Sequence, residues 1–139
     1  MWALPRLLSM FISLLQAGLV LVLAGLEYLS GYKAGVMQHL YFNKVHYTNT
    51  LYRPGLMVWH VAILLVVSAG VYAFVSRKST IPRLARWWYA GLTVASAAVF
   101  ILPFFRAYNG YAYMLMGAQI CVALEWTRTM LVYAMKKQR

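Results

Sequence analysis

The closing stretch "ICVALEWTRTMLVYAMKKQR", Ile120–Arg139, decides the fold: it completes a membrane-spanning helix if Glu125 and Arg128 are tolerated inside it. Those two charges stand three residues apart, so on a helix they share a face and can pair. At 1.5 Å per residue, Glu125 lies roughly 16 Å along the helix from Lys136, too deep to reach headgroups easily, whereas Arg128 at roughly 12 Å can snorkel. A charge at bilayer depth costs about 2.5–3.5 kcal/mol on insertion scales, so the pair is expected to face protein or water. Gly117, Ala118 and Cys121 continue toward this face with small residues, where another backbone can approach closely. Gly91, Ala95 and Ala98 offer a matching small surface on the preceding apolar segment. Glu125, Arg128, Gly117, Ala118 and Cys121 are therefore read as a helix-packing or partner contact. A proton or ligand relay is the sharper alternative for the two charges.

Working outward, the whole chain shares this solvent. Of its 139 residues, 63% are hydrophobic and 11% charged, against about 25% charged in soluble domains. Nearly charge-free runs of the roughly 20 residues that cross hydrocarbon recur along it. The expected fold is all-α: one polytopic domain, residues 1–139, forming a bundle of four transmembrane helices at about 7–29, 56–75, 87–105 and 111–135. The first run is too long for a signal-peptide core and lacks an obvious cleavage site, so it is read as retained. A polar, aromatic connector separates the first two spans and has room for a short interfacial helix or hairpin. Pro54 and Gly55 close it, Pro82 breaks the second connector, and Asn109-Gly110 predicts a tight turn before the last helix. Short second and third connectors favour packing of helices consecutive in sequence.

Cation placement orients the bundle. Arg6, Arg77, Lys78, Arg83, Arg86, Lys136, Lys137 and Arg139 fall on one side, and Lys33, Lys44, Arg53 and Arg106 on the other. The positive-inside rule puts both termini in the cytoplasm and the aromatic connector on the exoplasmic side. The final "KKQR" places Lys136 and Lys137 fourth and third from the carboxyl end, and resembles the dilysine retrieval signal of endoplasmic-reticulum membrane proteins. That resemblance implies the endoplasmic reticulum; the mitochondrial inner membrane, with termini in the matrix, is the alternative.

Glu27 and Glu125 are the two acids and there is no aspartate, which removes most catalytic templates. The threading sets them at different depths, so they cannot flank one bond as a carboxylate pair does. A Ser-His-Asp triad is unavailable in its usual form, and no Gly-rich phosphate loop follows a strand. Gln16 and Glu27 are eleven residues apart, about three turns, and share a face. His60 falls at the level of Glu27, so these three form a candidate polar cluster with an expected Glu27–His60 hydrogen bond. His39 and His46, seven residues apart, match no compact zinc motif. A haem with two axial histidines would need a second one within a span. No metal and no cofactor is expected. Tyr32, Tyr41, Phe42, Tyr47 and Tyr52 in the connector suit a headgroup-level belt, with a specific lipid site as the alternative. Cys121 alone cannot form an internal disulfide. The net charge of +11 sits beside apolar segments and not along one polar face, which argues against nucleic acid. The expected partners are membrane lipids and other integral membrane subunits. The expected role is a non-catalytic subunit or assembly factor of a membrane complex, against a small lipid-binding or transport protein or a respiratory accessory subunit.

Overall fold

The computed structural model describes the backbone of residues 3–77 and 83–137, and the side chains of 7–74, 76–77 and 86–135. Among the described residues there are six helices and no strand: α1 (Ala3–Ser30), α2 (Ala34–Thr50), α3 (Pro54–Arg77), α4 (Arg83–Ile101), α5 (Pro103–Arg106) and α6 (Tyr111–Lys137). Proline sets two of the boundaries. Pro54 opens α3, where its missing N–H would have had no helical partner anyway. Pro103 ends α4, because a residue before proline is driven out of helical geometry; Leu102 is extended, with φ −75° and ψ 124°. The third span expected over 87–105 therefore stops at Ile101, and the single turn of α5 follows it. The connector expected to be a short helix or hairpin is a 17-residue helix, α2.

The packing places α6 at the centre, against α1, α2, α3 and α4, while α3 also packs on α4 and α1 on α2. Across the two short connectors α3 packs on α4 and α4 on α6, whereas the main contacts of α1 are with α6 and α2. With α2 carrying the chain between them, α1 and α3 are free to separate. Side-chain contacts fix the directions: Ser13 meets Arg128 whereas Glu27 meets Gly110, so α1 and α6 are antiparallel. His60 meets Gln119 and Ser68 meets Trp126, so α3 runs parallel to α6. The apolar core is Tyr52, Leu64, Phe100, Tyr111, Leu115 and Val122.

The exterior differs from that of a water-soluble bundle, and the mostly apolar interior carries several hydrogen-bonded polar groups. Gln16, Ser30, Ser68, Thr93, Ser96 and Glu125 are buried, while Leu14 and Leu21 on α1, Val58 and Val66 on α3, and Trp87 and Val94 on α4 are each more than half exposed. Two stretches, Leu7–Ser30 in α1 and Pro54–Phe74 in α3, are long and apolar enough to cross a membrane. Only 11% and 17% of their most apolar windows are buried, unlike the core helix of a soluble protein. The lower apolarity of α6 follows from its position, because a helix enclosed by others can carry Gln119, Glu125 and Arg128 against protein.

Candidate functional site

The polar residues of α1 and α6 form a seam along the contact between the two helices. Ser13, Gln16, Leu19, Leu23 and Glu27 recur on α1 every three or four residues, one stripe of a helix. At one end the Arg128 guanidinium donates to Ser13 Oγ at 3.1 Å and pairs with Glu125 Oε1. One turn further, Gln16 Nε2 donates to the Cys121 carbonyl at 3.0 Å and to Glu125 Oε2 at 3.3 Å. Glu125, only 1% exposed, thus has both carboxylate oxygens engaged, one by a cation and one by an amide. A buried carboxylate is tolerable only with such partners.

Between the two polar ends the seam narrows at Gly117. A Cβ there would stand 2.6 Å from Leu23 Cδ1 and 3.4 Å from Leu19 Cδ2. The absent side chain lets α1 lie close enough for Gln16 to reach a backbone carbonyl. Gly117→Val is expected to destabilise the fold by about 1–3 kcal/mol, the usual range for overpacking, with Leu23→Ala restoring part of the loss. Paired thermal melts in detergent check this; a Gly117→Val chain melting like wild type would contradict the close approach.

Of the small surface expected to meet this face, Gly91 and Ala95 are left outward and Ala98 is half-buried. No heavy atom lies within 4 Å of a Cβ built on Gly91. The Ser13 and Gln16 bonds draw α1 onto the face instead. Ala118 turns away from Gly117 and Cys121, its carbonyl accepting from Ser96 Oγ of α4 at 3.5 Å.

The expected Glu27–His60 contact is also corrected. Glu27 Oε1 accepts the Asn109 N–H at 3.2 Å and Oε2 the Gly110 N–H at 2.7 Å. Its carboxylate therefore ties the end of α1 to the turn that leads into α6, where free N–H groups and the helix dipole favour an anion. A Cβ on Gly110 would stand 3.0 Å from Glu27 Oε2, so a larger residue there would make the carboxylate give by a few tenths of an ångström. His60 bonds Gln119 instead, Nδ1 to Nε2 at 2.9 Å, and the Tyr52 hydroxyl donates to Gln119 Oε1 at 3.1 Å. The cluster read as Gln16, Glu27 and His60 is thus three separate contacts, each made to α6 or its leading turn. The separation of α1 from α3 is the physical reason.

Tyr52, expected in a headgroup-level belt, is instead buried in the core, and Gln119 was missed, although a lone amide in an apolar helix was a readable signal. Burial pushes the Tyr52 phenol up to about 12, with Tyr111 adding in the same direction. The neutral phenol is thus favoured in the folded state. Its contribution is complete below the ordinary value of 10.0 and is lost as pH rises through about 12. In alkaline unfolding, wild type is expected to lose stability across that window more steeply than Tyr52→Phe; parallel curves would contradict it.

A second interior set joins α3, α4 and α6. Trp126 Nε1 donates to Ser68 Oγ at 3.1 Å, and the Tyr89 hydroxyl to the Ser68 carbonyl at 3.0 Å. Of the connector histidines, His39 bonds Asn43 and His46 lies edge-on to Tyr47. The side chains of Lys136 and Lys137, the candidate retrieval signal, lie outside the described residues, although α6 runs to Lys137.

No family model, curated protein or solved structure matches the chain.

Proposed function

We propose that this chain is an integral membrane protein of four spans, α1, α3, α4 and α6, and that it serves as a non-catalytic subunit or assembly factor of a membrane protein complex. The observation that carries the reading is the exposed apolar surface of α1, α3 and α4, with the buried polar groups Gln16 and Glu125 hydrogen-bonded inside. In water such an exterior would aggregate, whereas in lipid it needs no further partner. Gln16 and Ser13 of α1 meet the paired charges of α6, so the role of the seam is to hold α1 against α6. Gly70 on α3 and Gly91 on α4 face open space, leaving room for another helix to approach. The cation distribution supports both termini in the cytoplasm, and the endoplasmic-reticulum membrane is the proposed compartment. Purification of the natively expressed chain in mild detergent is expected to retain a second integral membrane protein in fixed ratio. A monodisperse single chain with nothing bound would count against the role.

A second reading, a lipid-binding protein, is favoured by one feature. Ser9, Met10, Ser13 and Leu14 border a shallow, open depression on the surface of α1, and Ser13 is the residue that accepts from Arg128. Lipid retained in fixed ratio by the purified chain, and lost on Ser9→Leu, would favour it over the subunit role.

A further inference from the structure

The surface of α2 divides into three strips. Leu40 is buried beneath the helix, against the rest of the protein. Met37, Tyr41 and Val45, one turn apart, form an exposed apolar edge, whereas Phe42 falls within one turn of His39 and His46. His39, His46 and Thr50 are exposed along the other edge. A helix with one edge for lipid and one for water fits the plane of a membrane surface. Trp59, exposed at the start of α3, and Tyr28 and Tyr32, exposed near the end of α1, mark the same end of the protein with aromatic side chains suited to headgroup level.

The charges of this end are one-sided. Lys33, Arg53 and Arg106 are exposed, and Lys44 Nζ donates to the Arg106 carbonyl at 2.6 Å, which brings two cationic residues together. Glu27 is the acid at this end, and both of its oxygens are turned inward onto Asn109 and Gly110. The other acid, Glu125, is buried beside Arg128. Among the described residues no carboxylate forms a salt bridge with Lys33, Lys44, Arg53 or Arg106.

We propose that α2 lies in the headgroup layer and that Lys33, Lys44, Arg53 and Arg106 bind the phosphate groups of anionic phospholipids there. The inference rests on the membrane-spanning reading. The apolar edge holds α2 at the depth where lipid phosphates lie, and the cations around it supply the donors. Each cation near an anionic surface raises association by about fivefold, so the preference over zwitterionic lipid is cumulative.

The test uses the full chain with Cys121→Ala and a fluorophore on Gln38→Cys, an exposed position of α2. It is reconstituted in phosphatidylcholine vesicles containing either spin-labelled phosphatidylglycerol or spin-labelled phosphatidylcholine. Phosphatidylglycerol is expected to quench at a severalfold lower mole fraction. The preference should fall to no more than the share of Lys44 in Lys33→Gln/Arg53→Gln/Arg106→Gln, and persist in full in Lys33→Arg/Arg53→Lys/Arg106→Lys and in Arg77→Gln/Arg86→Gln. Lys44 is left in place to preserve its bond to α5, and far-UV circular dichroism reports whether each variant keeps its helices. Equal quenching by both lipids would overturn the inference and assign the cations to a protein anion. Loss of the preference on adding inorganic phosphate at matched ionic strength would overturn it in favour of a free-anion site, and no quenching by either lipid would overturn it outright. Flotation of the chain with the vesicles reports the membrane reading separately.

Discussion

Arg128→Leu is expected to be the most destabilising single substitution in the seam. It leaves Glu125, at 1% exposure, without its cation and with only the Gln16 amide as a side-chain partner. Breaking one half of a buried pair typically costs about 3–5 kcal/mol, much of it the cost of the charge left behind. Glu125→Leu should be less severe, since Arg128 is partly exposed, with 15% of its side chain accessible, and can turn outward. The double substitution Arg128→Leu/Glu125→Leu should recover more than half of the Arg128→Leu loss, because no charge is then stranded. A double-mutant cycle on unfolding in mixed micelles checks this. Additive losses would mean that the two side chains do not act as a pair.

Glu27→Ala should have the next largest effect. Two backbone N–H groups, those of Asn109 and Gly110, lose a charged acceptor. Hydrogen bonds to charged groups contribute about 1.5–3 kcal/mol when buried. Glu27 is half-buried and water can replace part of what is lost, so a total of about 3 kcal/mol is expected for the pair of bonds. Glu27→Gln keeps one acceptor oxygen and should lose about half as much. The local readout is amide hydrogen exchange, which should accelerate at Asn109 and Gly110 in Glu27→Ala more than in the middle of α6. Unchanged exchange at those two amides would remove Glu27 from its capping role.

These effects mark what the sequence could and could not disclose. Glu125 and Arg128 were legible as a pair because helical spacing alone puts them on one face. The same spacing placed Gln16 and Glu27 on one face of α1, and both side chains do turn toward α6 or its leading turn. Their individual partners were not legible, because a partner depends on which helices are neighbours, and hydropathy carries no information on helix order. His60 shows the consequence: it stands at the level of Glu27 in the threading, but on a helix that α1 does not pack against. Gly117 was legible as a close approach, whereas its occupant, Leu19 and Leu23 in place of Gly91 and Ala95, followed from the polar bonds on either side of it. The end of α4 was misjudged for a local reason. Pro103 was present in the expected third span, and its effect on Leu102 outweighs the apolar character of the run. The long α2 was obscured because polar and apolar residues are interspersed around it: Asn43 and Lys44 lie one turn from buried Leu40, and Phe42 lies one turn from His39 and His46.

The central claim is that the exposed apolar faces of α1, α3 and α4 meet lipid while the polar seam faces protein. Photolabelling with a membrane-dissolved carbene reagent, read out by peptide mass spectrometry in reconstituted vesicles, tests it most directly. Label is predicted on Leu14, Leu21, Val58, Val66 and Val94, with Gln16, Ser68, Leu115 and Glu125 protected. Labelling at Gln16, Leu115 or Glu125, or its absence from the outer faces of α1 and α3, would contradict the claim.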